Sequence, residues 1–141
     1  MLKSMFKRNS GGGDGPTILL VGHCGPDAHF LRMVVRRAVE GVTCEFVNDQ
    51  KALDEKLPTA LLALINRVLD GRFSADSGIE LIRQLAGSAD ESTPMMLISN
   101  YAEAQQEAET AGAKPGFGKS DAGSEEAAAL IESAIGQPDA G

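Results

Sequence analysis

Cysteine is scarce in this chain: Cys24 and Cys44 are the only two among 141 residues. That is too few for a disulfide framework, and no Cys-x-x-Cys pair is present. Long hydrophobic runs are missing as well, since no stretch approaches the roughly 20 apolar residues that a bilayer crossing needs. The first residues, Met1 to Arg8, are basic and lead into Ser10-Gly11-Gly12-Gly13 without the apolar core of a secretory signal. A cytoplasmic location is therefore expected, with no membrane partner. Positive charge is also in deficit. The formal net charge is −7, which argues against nucleic acid as the partner, because that role wants a basic face. Neither histidine, His23 or His29, has an acid and a nucleophile at matching positions, so no catalytic triad can be assembled and the chain is not expected to be an enzyme.

What is present is a regular alternation between two flanking tails. Residues 1–16 read as a basic and then Gly-rich flexible tail, 17–136 as one domain, and 137–141 as a second tail. Thr17 to Val21 is a continuous apolar run, as in a strand buried on both faces. The turn Gly22-His23-Cys24-Gly25-Pro26 follows. Pro26 suits a first helical position and Asp27 a helix N-terminus. Phe30, Leu31, Val34, Val35, Ala38 and Val39 then recur at helical spacing, opposite Arg32, Arg36 and Arg37, until Gly41 closes the helix.

A second strand is expected over Thr43 to Val47 and a short helix over Asp49 to Lys56. Ala60 to Ile65 is the most apolar run and reads as a central strand. A loop from Asn66 to Ser77 leads into a helix bearing Ile79, Ile82 and Leu85. Met95 to Ile98 is the fourth strand, and Asn100 with Glu103 resembles a capping box that starts the next helix. Ala113 to Gly118 is the fifth strand, with Pro115 tolerable only at a sheet edge. A last helix spans Gly123 to Ile135. Five β-α units imply a parallel sheet with helices on both faces, and chemistry at the carboxyl ends of its strands. Both cysteines lie at or beside strands and read as small hydrophobes. His23 and Cys24 together fall far short of a metal ligand set.

The stretch Met95-Met96-Leu97-Ile98-Ser99-Asn100-Tyr101-Ala102-Glu103 resembles the fourth strand and following turn of bacterial response-regulator receiver domains. Ala111-Gly112-Ala113 followed by Phe117-Gly118-Lys119 is similar to that family's helix-end glycine, aromatic switch position and lysine. The resemblance spans Ile18 to Ile135. It implies a doubly wound α/β domain of the flavodoxin-like type, a five-stranded parallel sheet in the order 2-1-3-4-5. It also implies protein partners in a two-component pathway and a homodimer through the last two helices and fifth strand.

At its chemical centre the chain departs from the family. Gly22 and His23 stand where the family has its acidic pair, and Asn66 where it has the phospho-acceptor aspartate. Mg²⁺ prefers hard oxygen ligands and here loses three carboxylates, so its binding is expected to be lost or weak, with no other cofactor. The asparagine amide is not a phosphoryl nucleophile. Ser99 and Lys119 remain, either to hold an anion, to fix Asn66, or as remnants. Phe117 is expected to pack inward. The resemblance thus implies an atypical stand-alone receiver acting by phosphorylation-independent contact. The alternative is a switch driven by a small anion, with Gly22 opening space beside His23 and Lys119, or by phosphorylation at Asp70 or Asp76. A flavin or phosphate-ester enzyme of the same fold finds only a sparse glycine pair, Gly22 and Gly25, in its favour.

Overall fold

The computed structural model describes residues 16–88 and 93–135. The expected tails therefore lie outside the described residues, apart from Pro16. The elements run β1 (Thr17–Val21), α1 (Gly25–Ala38), β2 (Thr43–Val47), α2 (Gln50–Lys56), β3 (Leu62–Asn66), α3 (Gly78–Ala86), β4 (Met95–Ile98), α4 (Ala102–Ala111), β5 (Lys114–Phe117) and α5 (Glu125–Ile135). Single 3-10 turns at Leu57–Thr59 and Lys119–Asp121 precede β3 and α5. The five strands form one parallel sheet in the order β2-β1-β3-β4-β5, as the resemblance implies.

The apolar runs occupy the centre because every residue of such a run meets a covered face. Alternate residues divide between two cores. Leu19, Val21, Ala63, Ile65 and Leu97 face the layer of α2, α3 and α4, where Leu53, Leu81, Ile82 and Ala108 receive them. Ile18, Leu20, Leu62, Leu64 and Ile98 face α1 and α5, against Leu31, Val35, Ile131 and Ala134. The edges fall to the two strands with weaker apolar pattern. β2 carries Glu45 and a partly exposed Phe46. β5 contains Pro115, which has no N–H to give a ladder, and pairs with β4 alone.

Several boundaries differ from the sequence expectation for identifiable reasons. β3 begins at Leu62 rather than Ala60, because Pro58 sits in a 3-10 turn closed by Ala60 N donating to Leu57 O (3.1 Å). It also extends one residue further, so that Asn66 ends the strand. α5 begins at Glu125, not Gly123, where Ser124 Oγ accepts from the Ala127 amide (3.1 Å). Asn100 does not cap α4. Tyr101 holds the N-cap position without a side-chain bond, while Asn100 Oδ1 accepts from the Ser120 amide (3.1 Å) across the β4–β5 end.

The segment from Asn66 to Ser77 is not a free loop. Arg72 exchanges backbone bonds with Asn48 and Gln50 (2.9 and 2.8 Å), adding one parallel bridge beyond β2, and Ser77 Oγ caps α3 through the Glu80 amide (3.2 Å). Cys24 is exposed at the N-cap of α1, which corrects its reading as a packed hydrophobe. Cys44 is partly buried, and burial pushes its thiol up to about 11.

Candidate functional site

The carboxyl ends of β1, β3 and β4, with the turn that follows β5, bring Gly22, His23, Asn66, Ser99 and Lys119 to one end of the sheet. Gly22 leaves β1 with its amide on Val47 O (2.9 Å) and turns with φ of +75°. A side chain there would be strained, and its Cβ would lie 2.7 Å from Leu69 Cδ2. The space expected beside Gly22 is therefore taken by Leu69 from the β3–α3 segment. The Gly22 carbonyl is occupied as well, by the Asp70 amide (2.9 Å) and by Asn66 Nδ2 (3.0 Å).

His23 is buried, with 3 % of its surface exposed. Its Nε2 lies 2.9 Å from the Leu64 carbonyl, so that nitrogen carries the proton and donates it. Nδ1 is buried without a partner. Burial is the main cause that lowers the imidazole to about 4, with nearby Lys119 acting in the same direction, against the Leu64 hydrogen bond and Asp27. A neutral ring whose one N–H is engaged brings no charge to an anion. That removes His23 from the small-anion site in which the sequence reading placed it.

Asn66 donates from Nδ2 to two backbone carbonyls, Gly22 O (3.0 Å) and Val68 O (2.7 Å). These acceptors fix the amide orientation and leave Oδ1 facing Lys119 Nζ at 3.5 Å. The shorter partner of Lys119 is Asp27, whose Oδ2 stands 2.8 Å from Nζ. The hydrogen bond from Lys119 holds the Asp27 carboxyl below its ordinary value.

The sequence reading missed this carboxylate by giving it only a local role at the start of a helix. The available signal was its place in the first turn of α1, directly after the strand-end turn. Arg67, expected only as part of the loop from Asn66 to Ser77, also reaches this end of the sheet. Its guanidinium lies over the Tyr101 ring at 5.0 Å. With Asn66, Ser99, Tyr101 and Lys119 it borders an open cleft of about 230 Å³.

Ser99 is buried, and its Oγ accepts from the Tyr101 amide (3.1 Å). Phe117 is also buried and packs into the core beneath α1 and α5. Asp70 and Asp76 are both exposed, and neither lines the cleft. Among the described residues, no three His, Cys, Asp or Glu side chains converge as a metal set. No described helix is long and apolar enough to cross a membrane.

This arrangement of strands and helices has many counterparts among solved structures. The signal receiver domain of a DNA-binding response regulator from Colwellia psychrerythraea superposes with a TM-score of 0.65 at 12 % identity, over 86 % of this chain and 99 % of that one. A sensor protein from Polaromonas gives 0.68 at 16 % identity, over 85 % of this chain and 95 % of that one. The receiver domain of NtrX from Brucella abortus gives 0.60 at 20 % identity, over 84 % and 97 %. The fold is that of a receiver domain. Sequence comparison adds nothing further, since no family model and no curated protein matches the chain.

Proposed function

We propose that this chain is a receiver-type signalling module that works through protein contact and not through aspartate phosphorylation. The observation that carries the reading is the way the pocket satisfies itself. Lys119 is held by Asp27 and faces Asn66, while Asn66 spends both amide hydrogens on backbone carbonyls. An ordinary receiver needs a nucleophilic carboxylate, a metal and a lysine free to meet the phosphoryl oxygens. Here Gly22, His23 and Asn66 supply no carboxylate, and the lysine already has one for a partner. Mg²⁺ binding at this site is accordingly weak or lost, and the chain has no catalytic role in this reading.

The surface offered to a partner is that of α4, β5 and α5. Lys114 on β5 and Glu109 on α4 are exposed, while Glu103 and Glu107 border a cleft with Ile79 of α3 and Glu125 one with Phe30 and Met33 of α1. This surface is the face through which the resemblance implies a homodimer.

A second reading, in which a small anion acts as the switch, is favoured by one observation. Arg67 and Lys119 both border the cleft in an otherwise acidic protein. Phosphorylation at Asp70 or Asp76 has less support, because both carboxylates lie outside that cleft.

Treatment with a small phosphodonor and Mg²⁺ is expected to leave both the covalent mass and the light-scattering mass unchanged. A gain of one phosphoryl group, or a donor-dependent dimer, would overturn the proposed function.

A further inference from the structure

The β4–β5 pairing is irregular. Met96 pairs with Lys114 and Ile98 with Phe117, so β5 carries one residue more than β4 between the same two rungs. Pro115 falls in that interval and has no N–H to donate. At this place in the ladder the β4 carbonyls lose a regular backbone donor.

A side chain from α4 takes over. Gln105 Nε2 donates toward Leu97 O (2.9 Å), Ser99 O (3.1 Å) and, more distantly, Phe117 O (3.4 Å). Three carbonyls around one atom fix which end of the carboxamide carries the nitrogen. The geometry depends on Gly116. A Cβ at that position would collide with the Leu97 carbonyl and lie 2.9 Å from Gln105 Oε1. Oε1 itself is buried without a partner, a cost the arrangement carries in order to place the amide nitrogen.

We propose that Gln105 is a built-in latch: it replaces the missing ladder donor, ties α4 to the bulged edge of the sheet, and fixes the α4–β5–α5 surface in one arrangement without any ligand. This rests on the reading of that surface as the one offered to a partner, and supplies the reason it needs no phosphate to set it. A short edge strand with a bulge and a proline is otherwise the part of the sheet most prone to local opening. The Ser99 amide, which donates to Phe117 O (3.0 Å), belongs to the same cluster, so the latch sits directly beside the pocket wall.

The test is ¹⁵N relaxation dispersion together with amide hydrogen exchange on the full chain. It compares the unmodified protein with Gln105→Met, which keeps the length but has no donor, and with Gly116→Ala, whose Cβ meets the Leu97 carbonyl and so disturbs the bulge itself as well as the carboxamide. The unmodified protein is expected to give flat dispersion profiles over 97–105 and 114–119. Both variants are expected to gain exchange there, with amides of the first turns of α4 about tenfold less protected, the loss of roughly one hydrogen bond against local opening. Amides of β1, β3 and α1 stay unchanged.

Millisecond exchange already present in the unmodified protein would overturn the latch, and so would a flat profile in either folded variant. Should Gly116→Ala not fold, Gln105→Met carries the comparison alone. No phosphodonor or Mg²⁺ is present, so a failed latch leaves the pocket reading standing, and a phosphorylatable pocket would leave this result unchanged.

Discussion

Acidification from neutral pH to about pH 4 is expected to cost the folded protein about 3 kcal/mol through His23 alone. The imidazole titrates at 6.5 in an unfolded chain and at about 4 in the fold, and each pH unit of that gap is worth about 1.4 kcal/mol. The sign follows from which state takes the proton. Above 6.5 the ring is neutral in both states, and its contribution is fully present. Between 6.5 and about 4 the unfolded chain binds a proton that the fold refuses, so stability falls as pH falls.

Asp27 acts in a lower window. Its carboxyl is held below 3.8 by Lys119, so its stabilisation is present above that value and is lost as pH drops below it. Urea unfolding midpoints at neutral pH and near pH 4.5 separate these contributions. Replacing His23 with Gln keeps a donor for the Leu64 carbonyl and removes the titration. The pH dependence in the upper window should flatten in that variant. An equally steep dependence in His23→Gln would show that the ring is not its source.

Replacing Asn66 with Asp, which restores a phospho-acceptor in name, is expected to destabilise the protein by about 2 kcal/mol and to confer no phosphorylation. The amide nitrogen gives hydrogen bonds to Gly22 O and Val68 O. A carboxylate gives none and sets its charge against both carbonyl dipoles. Lys119 offsets part of this, but from 3.5 Å and while holding Asp27 at 2.8 Å. Nor does the single substitution rebuild a metal site, because Gly22 and His23 still offer no carboxylate oxygens. Urea unfolding and intact mass after donor treatment with Mg²⁺ check both halves. Equal stability, or a phosphoryl adduct, would contradict the account of how this pocket is filled.

Much of the fold was readable from local pattern. The continuous apolar runs of β1, β3 and β4 and the 3.6-residue spacing of α1 and α5 each have a direct physical cause in burial. The strand order is different. Parallel neighbours are joined through distant crossovers, so no short pattern in the chain encodes their pairing, and the order came from the resemblance to receiver domains.

Errors gathered where a side chain serves a distant partner in preference to a near one. Asn100 with Glu103 reads as a capping box starting the next helix, yet Asn100 accepts from Ser120, twenty residues away. Asp27 reads as a helix-dipole carboxylate and is instead the counter-ion of Lys119. Nothing local in the sequence marks Gln105, although its amide reaches the carbonyls of two strands. The pocket positions Asn66, Ser99 and Lys119 were legible because strand ends locate them. What neutralises Lys119 was not, because Asp27 meets it only through tertiary geometry.

In the proposed function the phosphate switch is absent from this pocket. An amide NMR titration with Mg²⁺ followed by beryllofluoride, a mimic of the phosphoryl group, tests it most directly. The amides of Asn66, Ser99 and Lys119 are expected to stay in place at millimolar Mg²⁺ and after the mimic is added. Saturable shifts at those three residues would contradict it, and would return the pocket to the recognition of phosphate-like anions.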